Sequence, residues 1–220
     1  MVCRTRDVIL FGPPGVGKGA QAARLSVDFG FERLSMGDLL RQEAACGSDL
    51  GRRIRERIDA GRFADDETVG AIVEKQLGRS RSPGLVLDGF PRTIRQAERL
   101  EVVLSRCGRR VERAILIEAS ESTIVERMRG RMICADDGST YHERFLPPRT
   151  PGVCDGCGRD LVRRVDDDPY VRLERVRVYR SRTRPLVEFY RRRGLLEEID
   201  GSGSVDQVSV RIRRSIEERR

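Results

Sequence analysis

The 220-residue sequence has no tryptophan, a single histidine and an aromatic content of only 5%. Proteins that hold single-stranded nucleic acid by stacking its bases need more aromatic side chains, so we expect no nucleic-acid partner of that kind. No run of 18 apolar residues occurs, and no membrane-spanning helix is therefore expected. Residues 1–7 lack the apolar stretch and cleavage site of a secretory signal, which favours a cytoplasmic location.

Basic residues outnumber acidic residues by 43 to 35, and the net charge is +8. The two signs are mixed through every segment, so the charge suits a small phosphorylated ligand as well as it suits nucleic acid. Only two of the basic residues are lysines, Lys18 and Lys75. In a chain so rich in arginine, a lysine at position 18 indicates a site that requires a compact ammonium on a flexible stem.

Apolar runs alternate with helical stretches, which is typical of a parallel sheet covered by helices. Buried strands are predicted at 7–11, 84–88, 112–117 and 195–199. Helices are predicted at 17–29, from 169 through Pro185 to about 193, and from 204 onward. Residues 35–64 indicate a charged helical insertion without a convincing strand, and 131–165 indicate a small β-rich insertion. We therefore predict an α/β core with two insertions.

Residues 12–18 (GPPGVGK) match the phosphate-binding loop G-x-x-x-x-G-K, and they lie between a predicted strand and a predicted helix. Backbone N–H groups of such a loop, with the helix N-terminus, form a cradle for phosphate oxygens. Lys18 is expected to reach the outer phosphates. Gly19 stands where many such loops have Ser or Thr as a magnesium ligand, so Mg²⁺ is expected to be held mainly by phosphates and water. The alternative is a glycine turn that binds no ligand.

Asp88 ends the predicted strand 84–88 and is followed by Gly89. In doubly wound sheets the carboxyl ends of the strands face the ligand, so Asp88 could order the waters around magnesium. The alternative is an aspartate that only forms a turn.

These motifs, together with others in the same order, resemble those of adenylate kinases and related nucleoside monophosphate kinases. The resemblance covers nearly the whole chain. Its carrying segments are FGPPGVGKG at 11–19, SMGDLLR at 35–41, LDGFPRT at 87–93 with Gln96 just after it, and the cysteine-containing insertion at 134–157.

The resemblance implies one kinase core, 1–220, built on a doubly wound parallel sheet. It also implies a helical monophosphate-binding insertion at 35–64 and a β-rich, zinc-binding lid at 130–167. The implied reaction moves the terminal phosphoryl group of Mg²⁺-ATP directly and in line to AMP, giving two ADP, with the lid closed. A monomer is implied.

The resemblance also assigns roles to single residues. It places ATP at Gly12, Gly15, Val16, Gly17, Lys18, Gly19, Ala20, Arg127, Arg131, Tyr141 and Gly203. It places AMP at Met36, Arg41, Ala64, Gly89, Arg92, Gln96, Arg164 and Arg175. The catalytic set that it implies is Lys18, Asp88, Arg92, Arg131, Arg164 and Arg175. Arginine suits such sites because its planar fork binds phosphate oxygens bidentately, although any single arginine could be a solvated surface charge.

Two positions depart from the family pattern. Met36 stands where adenylate kinases usually have Thr, and it cannot make the hydrogen bond of that hydroxyl. A kinase that prefers UMP or CMP is therefore the alternative within the family. Ala20 replaces a Thr that touches phosphate, and one lost neutral hydrogen bond costs about 0.5–1.5 kcal/mol.

Three cysteines and an aspartate form two pairs with the spacing of zinc knuckles, Cys134-x-x-Asp137 and Cys154-x-x-Cys157. Four such ligands give a closed tetrahedral shell, which is structural, and a small lid with little core needs that support. Asp136 and His142 are competing ligands, and a metal-free lid is the alternative. The remaining cysteines, Cys3, Cys46 and Cys107, carry no predicted role.

Two functions from other classes compete with the kinase. A nucleic-acid-binding protein would use the knuckle and the basic surface, but acidic residues around the knuckle would repel a phosphate backbone. A nucleotide switch or non-catalytic nucleotide binder would use the phosphate loop alone. The second phosphate site that the arginines imply argues against this reading, because a switch does not need it.

Overall fold

The computed structural model describes residues 6–163 and 169–218. Five strands form a parallel sheet in the order β2-β3-β1-β4-β8. The strands are β1 (Arg6–Phe11), β2 (Glu32–Ser35), β3 (Gly84–Asp88), β4 (Val111–Glu118) and β8 (Leu196–Asp200). This sheet confirms the predicted α/β class and all four predicted strands.

Helices cover the sheet and build the segments between strands. Their bounds are α1 (Lys18–Phe29), α2 (Met36–Ala45), α3 (Asp49–Asp59), α4 (Asp66–Arg79), α5 (Ile94–Arg106), α6 (Glu121–Arg129), α7 (Pro169–Val178), α8 (Leu186–Arg192) and α9 (Val205–Glu217). The start of α9 is closed by a capping box, in which Ser204 and Gln207 satisfy each other's backbone N–H groups. None of the helices in the described part of the chain is long and apolar enough to cross a membrane.

Side chains alternate between two apolar layers, one on each face of the sheet. Val8 and Leu10 of β1 pack with α1 and α9, whereas Ile9 packs with helices that include α4, α5 and α8. Continuous apolar strands such as LVL in β3 are buried on both sides, as expected for a parallel sheet covered by helices on both faces.

The strand β2 was not predicted from the sequence. It has four residues, ERLS, and only Leu34 among them is buried. The strand lies at the edge of the sheet, where one buried side chain gives no apolar run. Its pairing with β3 sets Ser35 opposite Asp88.

The helix predicted from 169 to 193 is interrupted. A π-helical turn at Tyr179–Thr183 separates α7 from α8, and Pro185 is the N-cap of α8. Proline has no N–H to donate and its ring clashes with the preceding turn of a regular helix. The wider turn, closed by a 2.9 Å bond from Arg184 N to the Tyr179 carbonyl, accommodates it.

A second, antiparallel sheet belongs to residues 131–163, which we call the cysteine segment. It contains β5 (Arg131–Cys134), β6 (Thr140–His142) and β7 (Leu161–Val162) in the order β6-β5-β7. Its small core includes Cys134, Tyr141 and Cys154. The predicted β-rich character of this insertion is confirmed.

Candidate active site

A cleft opens at the carboxyl ends of the central strands. Its walls include the loop after β1, Asp88 at the end of β3, and side chains from the 35–64 helices and the cysteine segment. The cleft is placed where parallel α/β sheets bind ligands, because loops leave the sheet there in different directions.

The phosphate loop lies tightly against its neighbours. A Cβ added to Gly12 (φ 147°) would lie 2.2 Å from the carbonyl oxygen of Ile117, and one added to Gly15 (φ 84°) would lie 2.4 Å from Met128 Cγ. The helix α1 begins directly after Gly17, and no side chain caps its first turn. The N–H groups at this helix start can therefore serve a bound anion.

Lys18 points its ammonium back into the loop. Its Nζ donates to the carbonyl oxygens of Gly12 and Pro13, both at 2.9 Å. Desolvation by burial lowers the pKa of Lys18 from 10.5 to about 7; Asp88 opposes this shift, and positive charges including Arg92 reinforce it. The site thus disfavours the charged form of Lys18, and a negatively charged ligand would favour that form again.

Asp88 is engaged by an arginine that the sequence did not single out. Its Oδ2 accepts from Arg33 Nη2 at 3.2 Å, and the same nitrogen donates to Asp38 Oδ2 at 3.3 Å. Arg33 lies on β2, so its approach to Asp88 follows from the pairing of β2 with β3.

Arg41 and Arg92 both line the cleft on the side of the 35–64 helices. Arg41 forms an ion pair with Asp38, one turn earlier on α2. Arg92 donates from Nε to the Gly89 carbonyl at 2.7 Å, and its guanidinium carbon lies 4.7 Å from the centre of the Phe63 ring. Two planar, cationic groups therefore face the same cleft as the phosphate loop.

The other residues assigned to AMP are divided between the cleft and the core. Ala64 and Gly89 line the cleft. Met36 is only 1% exposed and packs in the main core. Gln96 is buried behind the cleft wall: its Oε1 accepts from Arg92 N at 2.8 Å, and its Nε2 donates to Asp66 Oδ1 at 2.7 Å.

Arg127 links the loop to the segment between β8 and α9. It donates to the carbonyl oxygens of Val16, Gly201 and Gly203 at 2.7–2.9 Å. Its guanidinium carbon also lies 5.7 Å from the centre of the Phe145 ring. The cleft is thus bounded here by a flat cationic group and an aromatic ring, which together suit a planar base.

Tyr141 is among the residues that line the cleft, but its hydroxyl makes its contacts within the cysteine segment. The hydroxyl accepts from Asp155 N at 2.9 Å and lies 3.6 Å from Cys154 Sγ. A role of Tyr141 in holding ATP would therefore use the ring and not the hydroxyl.

The last group of predicted residues concerns the transferred phosphoryl group. Arg131, at the start of β5, and Arg175, on α7, both line the cleft, as does Ala20. Their charges help to lower the pKa of Lys18, which places them near its ammonium. Arg164 lies outside the described residues.

The four predicted metal ligands come together in the cysteine segment. Their ligand atoms all lie within 4.8 Å of one another. Cys134 Sγ lies 3.3 Å from Cys157 Sγ, and Cys154 Sγ lies 3.1 Å from Asp137 Oδ2. Each pair sits on a tight turn, closed by Gly138 N to the Cys134 carbonyl and by Gly158 N to the Cys154 carbonyl.

This donor set fits Zn²⁺, which prefers thiolates at about 2.3 Å in a tetrahedral shell. The backbone N–H of Ser139 is the main cause that lowers the pKa of Asp137 to about 2, so this carboxylate is ionised and ready to bind a cation. The competing ligands are used elsewhere. Asp136 pairs with Arg159 at 3.0 Å, and His142 Nδ1 accepts from Arg144 N at 3.0 Å.

The sequence of the chain matches the adenylate kinase family over residues 10–195. The chain belongs to the adenylate kinase family. An adenylate kinase of Moorella thermoacetica is 43% identical over 95% of this chain and 97% of its own length. Adenylate kinases of Pelobacter propionicus (44% identical, 96% of both chains) and Archaeoglobus fulgidus (38% identical, 96% and 98%) are similar over the same extent.

Membership of the adenylate kinase family confirms the resemblance that the motifs indicated. It favours the kinase over the nucleic-acid-binding protein and over the non-catalytic nucleotide binder.

The residues of the cleft that were not predicted from the sequence include Arg33, Asp38, Phe63 and Phe145. Asp38 stands inside the segment SMGDLLR, so the motif itself carried that signal. The ring of Phe63 under Arg92 and that of Phe145 under Arg127 are long-range contacts without a local signal. Arg33 could have been found only by recognising β2.

Proposed function

We propose that this member of the adenylate kinase family transfers the terminal phosphoryl group of Mg²⁺-ATP to AMP, giving two ADP. The observation that carries the proposal is that the phosphate loop, with Lys18, and the paired cations Arg41 and Arg92 line one continuous cleft. A protein that only bound ATP would have no need for the second cationic site.

ATP is proposed to lie with its phosphates on the loop 12–18 and at the N-terminus of α1. On binding, Lys18 exchanges the carbonyl oxygens of Gly12 and Pro13 for phosphate oxygens. The adenine is assigned to the flat wall made by Arg127, with Gly203 and the ring of Tyr141 at its border. Phosphate and base are then fixed at both ends, and positioning is the main requirement of phosphoryl transfer.

AMP is proposed to place its phosphate between Arg41 and Arg92. Both guanidiniums already have protein partners, the Asp38 carboxylate and the Gly89 carbonyl, which hold them in the cleft wall. Its base would meet the wall around Ala64 and Gly89, backed by the buried Gln96. Met36 stands where the family usually has Thr. It is packed in the core and has no hydroxyl, so it offers no hydrogen bond to the base.

The transfer itself needs positive charge more than covalent chemistry. Arg131, Arg164 and Arg175 are proposed to surround the transferred phosphoryl group, with Lys18 and Arg92. No general base is required, because the acceptor is an ionised phosphate. Closure of residues 130–167 as a lid and of residues 35–64 over AMP excludes water, so that ATP is not lost to hydrolysis.

Two metals complete the proposal. Mg²⁺, when bound with ATP, would neutralise charge on the phosphates, and we propose that Asp88 and Asp38, which both line the cleft, hold its water shell. Zn²⁺ held by Cys134, Asp137, Cys154 and Cys157 would stabilise the lid and take no part in the chemistry. A cytoplasmic monomer is proposed. The exposed free thiols of Cys46 and Cys107 fit a reducing compartment.

The test is ADP formation by the purified chain with Mg²⁺-ATP and, in separate reactions, AMP, CMP, UMP or GMP. We expect kcat/KM to be highest for AMP. A preference for CMP or UMP would assign the chain to a pyrimidine specificity with the same mechanism. No transfer to any of the four nucleotides would contradict the proposed function.

A further inference from the structure

The Asp38–Asp88 pair at the phosphate loop is already bridged by a cation of the protein itself. Arg33 Nη2 donates to Asp88 Oδ2 at 3.2 Å and to Asp38 Oδ2 at 3.3 Å. The two carboxylates are mostly buried, with side-chain exposures of 11% for Asp88 and 28% for Asp38. A guanidinium in this position neutralises charges that would otherwise repel each other in a poorly solvated cleft.

Arg33 also lies where a metal ligand from the loop would point. A Cβ built on Gly19, the position at which many phosphate loops have Ser or Thr, would lie 3.5 Å from both Arg33 Nη2 and Asp88 Oδ2. The ammonium of Lys18 is close enough for Asp88 to affect its pKa. The protein cation therefore occupies the same small region as the proposed metal site.

The contacts between Arg33 and the two aspartates are weak enough for another cation to displace them. One nitrogen serves both carboxylates at distances longer than the 2.7–2.9 Å usual for charge-assisted hydrogen bonds. The Nε of Arg33 is buried, and it has no hydrogen-bond partner within the described residues. The guanidinium thus makes no bidentate fork with either aspartate, and another cation can compete for the same oxygens.

We propose that Arg33 is a positioning residue that acts as an internal counter-cation at the magnesium site. It neutralises Asp38 and Asp88 in the free enzyme and is displaced from them when Mg²⁺ enters with ATP. The released guanidinium remains beside the polyphosphate. Arg33 thereby sets how strongly the cleft distinguishes Mg²⁺-ATP from metal-free ATP. This inference rests on the proposed place of Mg²⁺ beside Asp38 and Asp88.

The competing explanation is purely structural: Arg33 would only tie β2 and α2 to the end of β3. The two explanations differ in sign for two ligands. A structural tie, once cut, weakens the binding of ATP with and without metal alike. Removal of a counter-cation strengthens the binding of the magnesium complex, because the cation competed with Mg²⁺ for the two aspartates. The same removal weakens the binding of metal-free ATP, because the cation attracted this polyanion.

The experiment is a calorimetric titration with the imidodiphosphate analogue of ATP, which is not transferred, in excess Mg²⁺ and in excess EDTA. The ratio of the two dissociation constants, metal-free over magnesium-bound, is compared in the wild type and in Arg33→Gln. We expect the ratio to rise roughly tenfold, the effect of about 1.4 kcal/mol. Arg24→Gln is the matched control, because it removes an equal charge from an ion pair between α1 and Asp206 of α9 that does not involve Asp38 or Asp88. Its ratio should equal that of the wild type.

A ratio for Arg33→Gln within twofold of the wild type would overturn the inference. So would Arg33→Lys behaving like the Gln variant, because that substitution keeps the charge. If Arg33→Gln does not fold, Arg33→Met keeps the aliphatic stem and carries the same expectation. Failure of the proposed function has a different signature, since the wild type would then form no ADP, whatever the ratio.

Discussion

The protonation state of Lys18 depends on whether the cleft contains a negatively charged ligand. In the free enzyme its ammonium is surrounded by carbonyl oxygens, and desolvation lowers its pKa to about 7. A bound polyphosphate favours the charged form and raises the pKa again. Above pH 7 we therefore expect the binding of ATP to be accompanied by the uptake of a proton by Lys18.

This coupling can be measured at pH 8 by titrating the wild type with Mg²⁺ and the imidodiphosphate analogue in buffers of different ionisation enthalpy. We expect the observed heat to depend on the buffer and to report net proton uptake, and the affinity to fall as the pH rises from 7 to 9. The variant Lys18→Met should show neither effect. Equal proton uptake in both proteins would contradict the assignment to Lys18.

The sequence was sufficient to single out residues that follow from local spacing, and the structure places them in the cleft or in the cysteine cluster. The phosphate loop, Asp88 at a strand end and the paired cysteines are of this kind. The bridge from Arg33 to Asp38 and Asp88 was not predictable in the same way, because it depends on the register between β2 and β3. The burial of Met36 and Gln96 behind the cleft wall likewise depends on how α2 and α5 pack, which no spacing rule gives.

At the scale of elements, the cysteine segment has a much smaller apolar core than the two layers that cover the central sheet. Its buried residues form a cluster around Cys134, Tyr141 and Cys154, and its sheet includes strands of two and three residues. So small a unit needs a metal or an equivalent cross-link for stability. The two knuckles bring their four ligand atoms to within 4.8 Å of one another, and two of the ligands, Cys134 and Cys154, belong to that cluster.

The metal assignment predicts one Zn²⁺ per chain. Asp137→Asn should weaken zinc binding at least about tenfold, because it removes a charged ligand. Even loss of a residue that only hydrogen-bonds to a ligand costs roughly 10–100-fold in metal affinity. Asp136→Asn, one residue earlier and paired with Arg159 outside the cluster, should leave zinc binding unchanged. Competition with a chromophoric chelator measures both. Equal affinities in the two variants would assign the fourth ligand elsewhere.

Elements differ in how well their patterns identify them. The inner strands contain continuous apolar runs and were predicted, whereas β2 has one buried residue and lies at the sheet edge. One continuous helix was predicted from 169 to about 193 with Pro185 inside it, and the interruption before Pro185 was missed. The π-helical turn at Tyr179–Thr183 buries its first and last side chains, Tyr179 and Thr183, before α8 begins.

At the scale of the whole molecule, one buried ion pair holds the end of the sheet opposite the cleft. Asp7, which is fully buried, accepts from Arg109 Nη2 and Nε at 2.5 and 2.9 Å and from Leu85 N at 3.1 Å. Arg109 also donates to the Ser82 carbonyl at 2.8 Å. The pair connects β1, β3 and the turn before β4 at their amino ends.

Asp7→Asn should lower the free energy of unfolding by about 3–5 kcal/mol, because it leaves the Arg109 charge buried without its partner. Denaturant unfolding measures the change. Asp49→Asn, which breaks an exposed pair with Arg52, is the control and should cost at most about 1 kcal/mol. Below the melting temperature kcat should be unchanged in Asp7→Asn, since the pair is remote from the cleft. Similar stabilities for the two variants would contradict the role given to Asp7.

The proposed transfer requires two phosphate sites in one cleft, the phosphate loop with Lys18 and the pair Arg41 and Arg92. It is tested most directly by incubating the chain with AMP and Mg²⁺-ATP labelled in the γ-phosphate. Direct transfer predicts that the label moves into ADP, that two ADP form for each ATP consumed, and that neither the protein nor inorganic phosphate acquires label. Label released as inorganic phosphate, retained on the protein or left in ATP would contradict the account.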